Sequence, residues 1–358
     1  MLRPVVQSVH MFQATDNPPP RILLVKTSSL GDLIHSFPAL TDAARALPGV
    51  EFHWLVEEAF AEVPQWHPAV SKVISIGLRR WRGNWRKAWR KGELSAFKRD
   101  LQSQEYDLVI DAQGLLKSAL PARLAHGVSV GYDRSSIREP MASRLYHRRL
   151  SVSRELHAIE RIRRLFAAAL DYTPPTDEPD YGLGFKAGRS RPGELVFLHA
   201  TTWPSKHWPE IYWAELTALA YAAGYTVQFL WHAPEERLRA ERIMNMAGNG
   251  ALFPRTGLTG LKEYLAGVAG VVGVDSGLAH ITAAVNTPAV TLYGPTSAGL
   301  TGAVGAAQKN LQVGYECAPC MKKLCAKPVQ GKLDPPCFET LPPALVWQAL
   351  VRQMEALA

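Results

Sequence analysis

The sequence predicts an α/β protein built from two doubly wound domains with parallel sheets. Three observations carry that prediction. Short continuous Val/Ile/Leu runs alternate with helical segments along most of the 358 residues. Such runs suit strands buried on both faces, and the helices between them supply the cover. The alternation breaks at the Pro/Gly/Asp-rich TPPTDEPDYGLGFKAGRSRPG over 173–193 and then restarts. The chain is also too long for one ordinary core, while 47% hydrophobic and 20% charged residues suit a globular protein.

The elements follow in order. MLRPVVQSVHMFQATDNPPP (1–20) lacks a continuous apolar stretch and a small-residue cleavage site, so it reads as a flexible leader. RILLV (21–25) is the first buried strand. The small-residue loop KTSSLGD (26–32) joins it to an apolar-periodic helix over 33–47. EFHWLV (51–56), KVISI (72–76) and DLVID (107–111) are the next strands, with helices over 94–104 and 114–125. Beyond the break come the strands ELVFLHA (194–200), TVQFLW (226–231), VAGVVGV (268–274) and AVTLY (289–293). Helices over 207–223, 233–246, 258–267 and 277–286 separate them, and LPPALVWQALVRQMEALA (341–358) closes the chain as a helix. The expected division is leader 1–20, first domain 21–180, second domain 181–340 and terminal helix 341–358. Loops at the carboxyl ends of the strands would line a cleft between the domains.

A net charge of +8 points to an anionic partner. The charge is concentrated in Arg79, Arg80, Arg82, Arg86, Lys87, Arg90, Lys91, Lys98 and Arg99, among which Glu93 is the one acid. Trp81, Trp85 and Trp89 recur every four residues there, which makes an amphipathic helix suited to a membrane surface or an anionic ligand. No helix-turn-helix, RNP, KH or zinc-finger pattern accompanies it, so nucleic acid is not the expected partner. No apolar run reaches bilayer length, and the expected location is the cytoplasm.

Three loops of the second half share a chemistry. LVFLHA runs into Thr201-Thr202, VVGV into Asp275-Ser276-Gly277, and AVTLY into Gly294-Pro295-Thr296-Ser297. In a parallel sheet they emerge at one edge, where small residues, hydroxyls and a helix start at Gly277 suit a diphosphate. Lys206 is close enough in sequence to fold over the phosphates, because the following helix start needs only Pro209 and Glu210. His280 lies one helical turn beyond Gly277. Glu235 and Glu236 follow a strand, as a ribose-binding acid does. The G-x-G-x-x-G and G-x-x-x-x-G-K-[ST] patterns are absent, which disfavours hydride transfer and P-loop phosphoryl transfer. Group transfer from a nucleotide donor fits best. Cys317, Cys320, Cys325 and Cys337 combine a C-x2-C pair with irregular spacing, leaving zinc, a disulfide or free thiols open. Ser29-Leu30-Gly31-Asp32 fits a capping box in which Asp32 bonds back to a backbone N–H, and spacing alone does not decide between that and a chemical role.

The runs ILLVKTSSLGDLIHSFPALTDA, WLVEEAF, LRRWRGNWRKAW, DLVIDAQGLLKSALPARLAHG, HATTWPSKHWPE and VDSGLAHITAAVNTPAVTLYGPT together resemble the lipopolysaccharide heptosyltransferases, most of all the branch adding the first heptose. The likeness runs from about residue 21 to 312. It implies a GT-B fold, with the terminal helix packing back on the first domain. It implies an inverting, metal-free transfer from ADP-L-glycero-β-D-manno-heptose to the inner Kdo of Kdo2-lipid A, at the cytoplasmic face of the inner membrane. Asp32 matches the general base and Lys206 the residue that neutralises the leaving diphosphate. Thr201, Thr202, Asp275, Ser276, Gly277 and His280 match the donor site, with Glu236 the expected ribose-binding acid. Ser28, Ser29, Gly31, Arg79, Arg80, Arg82, Arg86, Lys87, Gln113 and Arg138, with Arg148, would face the acceptor, and Gly31 would leave room for its approach. Thr256 departs from the larger apolar residue expected against adenine. The competing expectations are the second heptosyltransferase, another GT-B activity such as a nucleotide-sugar epimerase, and a non-enzymatic binding module.

Overall fold

The computed structural model describes residues 19–184, 189–327 and 333–357. The expected leader therefore falls outside the described residues, except for Pro19 and Pro20. The first sheet holds β1 (Arg21–Val25), β2 (Glu51–Glu57), β3 (Val70–Ile76), β4 (Glu105–Asp111), β5 (His126–Tyr132) and β6 (Arg148–Leu150). The second holds β7 (Arg191–Leu198), β8 (Thr226–Phe229), β9 (Ala251–Leu252), β10 (Val268–Val274), β11 (Ala289–Tyr293) and β12 (Gln308–Gln312). Their orders are β3-β2-β1-β4-β5-β6 and β12-β11-β10-β7-β8-β9. Every pairing is parallel. Numbered from its own first strand, each sheet runs 3-2-1-4-5-6, which puts a topological switch point between β1 and β4 and another between β7 and β10.

The helices are α1 (Leu30–Ile34), α2 (Phe37–Ala46), α3 (Leu78–Arg90), α4 (Glu93–Leu101), α5 (Leu116–Leu124) and α6 (Ala158–Leu170). After the break come α7 (Glu210–Ala222), α8 (Pro234–Ala247), α9 (Leu258–Gly267), α10 (Gly277–Ala284), α11 (Ala298–Thr301) and α12 (Pro343–Glu355). The single helix expected over 33–47 is two, because Pro38 sits in the first turn of α2 and has no N–H to continue a ladder. By compactness the chain forms two units: residues up to Ser28 with His35–Gly182, and Ser29–Ile34 with Leu183 onward.

The central strands are sealed as their apolar runs require, with Ile22, Leu23, Leu24 and Val25 fully buried. In the second unit the tryptophans Trp208 and Trp213 pack edge to face at 4.9 Å beneath β7. The terminal helix corrects an expectation. α12 packs on α7 and on β10, β11 and β12 of the second unit, burying Val346 and Leu350 among Leu195, Phe197, Val272 and Val290. The indole N–H of Trp208 donates to the Leu341 carbonyl at 3.1 Å, fixing the entry of that helix.

Candidate active site

In the second unit, the switch point brings the three small-residue loops together at Asp275. This residue continues β10 by one step, its N–H donating to the Leu292 carbonyl at 3.2 Å. Its Oδ2 accepts from Lys206 Nζ at 2.7 Å and Thr296 Oγ1 at 2.6 Å, while its backbone carbonyl accepts from Thr201 Oγ1 at 3.3 Å. Lys206, expected to fold over the phosphates, is thus paired with Asp275. It stands on the single turn Pro204–Lys206, largely buried, with Nζ 4.8 Å from the centre of the Trp203 ring. His207 Nε2 donates to the Thr201 carbonyl at 2.9 Å, tying the turn to the loop.

Ser276 is the N-cap of α10 and makes no side-chain cap bond. Its Oγ is buried and has no hydrogen-bond partner among the described residues. A buried hydroxyl without a partner costs free energy and is ready to bond a ligand. His280 is buried one turn along α10, and Thr202 is exposed. Glu236 caps α8, its Oε2 accepting from the N–H groups of His232 at 2.7 Å and Ala233 at 3.2 Å. Glu235 is exposed. Thr256 edges a cavity of ≈ 680 Å³ together with Phe253, Arg255 and Tyr264.

The segment Ser29–Ile34 belongs by its contacts to this second unit. Asp32 Oδ2 accepts from the Ser29 N–H at 2.9 Å, the bond back to the backbone that the capping-box spacing predicts, and Ser29 Oγ donates to the same oxygen at 2.7 Å. The space at Gly31 is not the open approach expected for an acceptor. A Cβ there would stand 2.5 Å from Cδ2 of His280, and one on Gly277 would stand 2.8 Å from Cβ of Leu30. The two glycines let α1 and α10 touch.

In the first unit the other switch point gathers the β1 and β4 loops. Gln113 Oε1 accepts from the N–H and Oγ1 of Thr27, both at 2.7 Å, and Ser28 Oγ receives Lys117 Nζ at 3.2 Å. The fully buried Asp111 anchors this loop, accepting from Gln113 N, Gly114 N, Ser118 Oγ and Tyr146 Oη. Burial pushes its carboxyl up, against the pull of those donors. The sequence alone did not single out Lys117, and it offered Thr296 only as a loop residue. Their signals were a cation in the first turn of the helix after Gln113-Gly114 and a hydroxyl in the Gly-Pro-Thr loop.

The cationic segment is less uniform than expected. Arg80 is held by Glu58 through two bonds of 3.0 Å and also by Glu93. The Arg79 guanidinium lies over the Phe60 ring at 5.1 Å. Arg82, Arg86, Lys87 and Arg138 are exposed. Arg148 donates to the Ala169 carbonyl at the end of α6, at 3.4 Å. The four cysteines are free thiols that line one small pocket, and burial, with the three neighbouring cysteines, pushes Cys337 up to about 12. Among the described residues no group of three or more His, Cys, Asp or Glu is arranged to hold a metal ion. None of the described helices is long and apolar enough to cross a membrane.

Comparison with known proteins gives consistent matches. The family model for glycosyltransferase family 9 (heptosyltransferase) matches residues 94–329. The chain is 49% identical to lipopolysaccharide heptosyltransferase 1 of Pseudomonas aeruginosa over 350 residues, 94% of this chain and 98% of the relative. The solved structure of the E. coli heptosyltransferase WaaC with ADP superposes with a TM-score of 0.81 at 41% identity, covering 93% of this chain and 99% of that one. The same E. coli protein with ADP-2-deoxy-2-fluoro heptose gives 0.78, at the same identity and coverage.

Proposed function

From the premise that the chain belongs to glycosyltransferase family 9, the heptosyltransferases, we propose that it moves L-glycero-D-manno-heptose from ADP-heptose to the inner Kdo of Kdo2-lipid A. That it is a glycosyltransferase follows from the family. The first-heptose reading is favoured over the second-heptose one, because the 49% identity to a heptosyltransferase 1 spans nearly the whole of both chains. The observation that carries the donor side is the junction at Asp275, where three loops, a paired lysine and an unsatisfied serine meet at a switch point. A relative solved with ADP supports a nucleotide there.

In this reading the diphosphate lies at the start of α10, taking the Ser276 hydroxyl and the N–H groups of the first turn. Lys206, already aimed at this edge by Asp275, neutralises the charge that grows on ADP as the anomeric C–O bond breaks. Glu236, which caps α8, takes a ribose hydroxyl in this reading. A Kdo hydroxyl attacks the anomeric carbon from the opposite side, and its proton passes to the Asp32 carboxylate, which Ser29 holds in place. The new glycosidic bond therefore has inverted configuration. Charge neutralisation falls to Lys206, and the scheme assigns no step to a metal. Gln113 orders the loop carrying Ser28 and Ser29 toward the acceptor, with Lys117 beside it. Arg79, Arg82 and Arg138 supply cations for the acceptor's phosphates and carboxylates. The enzyme then works where lipid A is assembled, at the cytoplasmic face of the inner membrane.

The test is incubation with ADP-heptose and either Kdo2-lipid A or an acceptor already carrying one heptose, followed by mass spectrometry. One heptose added to the first acceptor and none to the second is the expected result. The reverse pattern makes the chain a second-heptose enzyme.

A further inference from the structure

α3 carries more cations than the reaction above uses, and two indoles that its own domain leaves uncovered. The three tryptophans do not form one stripe. Trp81 turns inward, edge to face with Phe97 at 5.6 Å and donating to Glu93 Oε2 at 2.9 Å. Asn84 then departs from helical geometry (φ −158, ψ 52), so the helix is broken between Trp81 and Trp85. In the outer piece Trp85 and Trp89 are 61% and 66% exposed. They stand four residues apart and share a helix face, with Arg86 and Arg90 directly beside them. Among the described residues no salt bridge involves Arg82, Arg86, Lys87, Arg90 or Lys91.

Two exposed indoles flanked by cations without an anionic partner are costly in water and well suited to a lipid headgroup boundary. There the rings are half in hydrocarbon, the N–H groups stay wet, and long cationic side chains that form no salt bridge among the described residues reach phosphates, Lys91 having Glu93 only as an electrostatic neighbour. We propose that residues 85–91 are a docking surface for an anionic phospholipid bilayer. Trp85 and Trp89 seat at the headgroup level, and Arg86, Lys87, Arg90 and Lys91 meet lipid phosphates. The inference deepens the functional reading, since an acceptor built on lipid A lies in such a bilayer. It leaves Arg79 and Arg82, on the inner piece, for the acceptor itself.

The test is sedimentation of the full-length protein with sucrose-loaded vesicles, without donor or acceptor, so its outcome is independent of whether turnover is seen. Vesicles of phosphatidylcholine with roughly one-third phosphatidylglycerol should carry the protein down, and pure phosphatidylcholine should not. Lipids brominated in the upper acyl chain should quench its tryptophan fluorescence. The variant Trp85→Ala/Trp89→Ala should bind roughly tenfold more weakly, while ADP raises its melting temperature as it does for the native chain, which shows that it folds. Equal binding to neutral vesicles, no binding to anionic ones, or a double variant that binds like the native chain would overturn the proposal. So would binding to a random single-stranded oligonucleotide in place of vesicles.

Discussion

Asp32 is a side chain with a structural role in its own loop and a chemical one in the proposed function. The spacing Ser-x-x-Asp announced a cap, and the cap is present. Holding the carboxylate by its own loop is also what a fixed base needs, because a floppy one spends most of its time out of reach. Asp32→Ala is expected to lower kcat by roughly 10²–10⁴-fold with donor affinity retained, measured by initial rates and ADP-heptose titration. Near-native turnover would remove it as the base. Lys206→Ala should weaken donor binding and slow turnover together; unchanged kinetics would sink its role. At the same scale, His67 makes stability depend on pH. His67 is buried, its Nδ1 accepts the Ala69 N–H at 3.2 Å, and its Nε2 lies 3.0 Å from Thr41 Oγ1. Thr41 in turn donates to the Phe37 carbonyl, so Nε2 carries the proton and the ring is neutral. Burial holds its pKa down at about 4, against an ordinary 6.5. Between those values the unfolded chain binds the extra proton, so the contribution is intact above about 6.5 and is lost as pH falls toward 4. Urea midpoints should therefore drop between pH 7.5 and 5 by less in His67→Gln than in the native chain. Equal drops would count against it.

Among the elements, those carried by continuous apolar runs were legible, and those on the periphery were not. β10 and β11 coincide with VAGVVGV and AVTLY. β5, β6, β9 and β12 went unread, because HGVSVGY, RRL, AL and QKNLQ are glycine-broken, charged or very short. α6 was missed although AIERIRRLFAAAL is helical in pattern, since no strand-like run separates it from the Pro-rich break beyond it. That helix carries the first unit's buried ion pair. Arg163 on α6 donates to Asp42 on α2 at 2.6 Å, and both side chains are almost fully buried. Asp42→Ala takes away the nearer of two anions and leaves the buried guanidinium only Glu160 at 3.7 Å, and the expected loss is about 3 kcal/mol by denaturant unfolding. A loss below about 1 kcal/mol would place the pair with ordinary surface bridges.

For the molecule as a whole, the same strand order used twice puts a topological switch point in each unit. If ADP binds at the Asp275 junction, a saturating excess should stabilise the native protein by about 2.7 kcal/mol at a hundred times Kd. In calorimetry that shift should appear in the native chain and vanish in Lys206→Ala/Ser276→Ala. An undiminished shift would place ADP elsewhere. The sequence by itself determined the fold class, the buried strands and the three loops that converge on one edge, because these depend on local hydrophobicity and on the residues directly after each strand. Only the tertiary structure decided that Lys206 is tied to Asp275, that His280 fills the space at Gly31, that Asn84 breaks the tryptophan helix, and that α12 lies on its own domain. Each of those depends on which surfaces meet far apart in the chain, and no local pattern of residues encodes that.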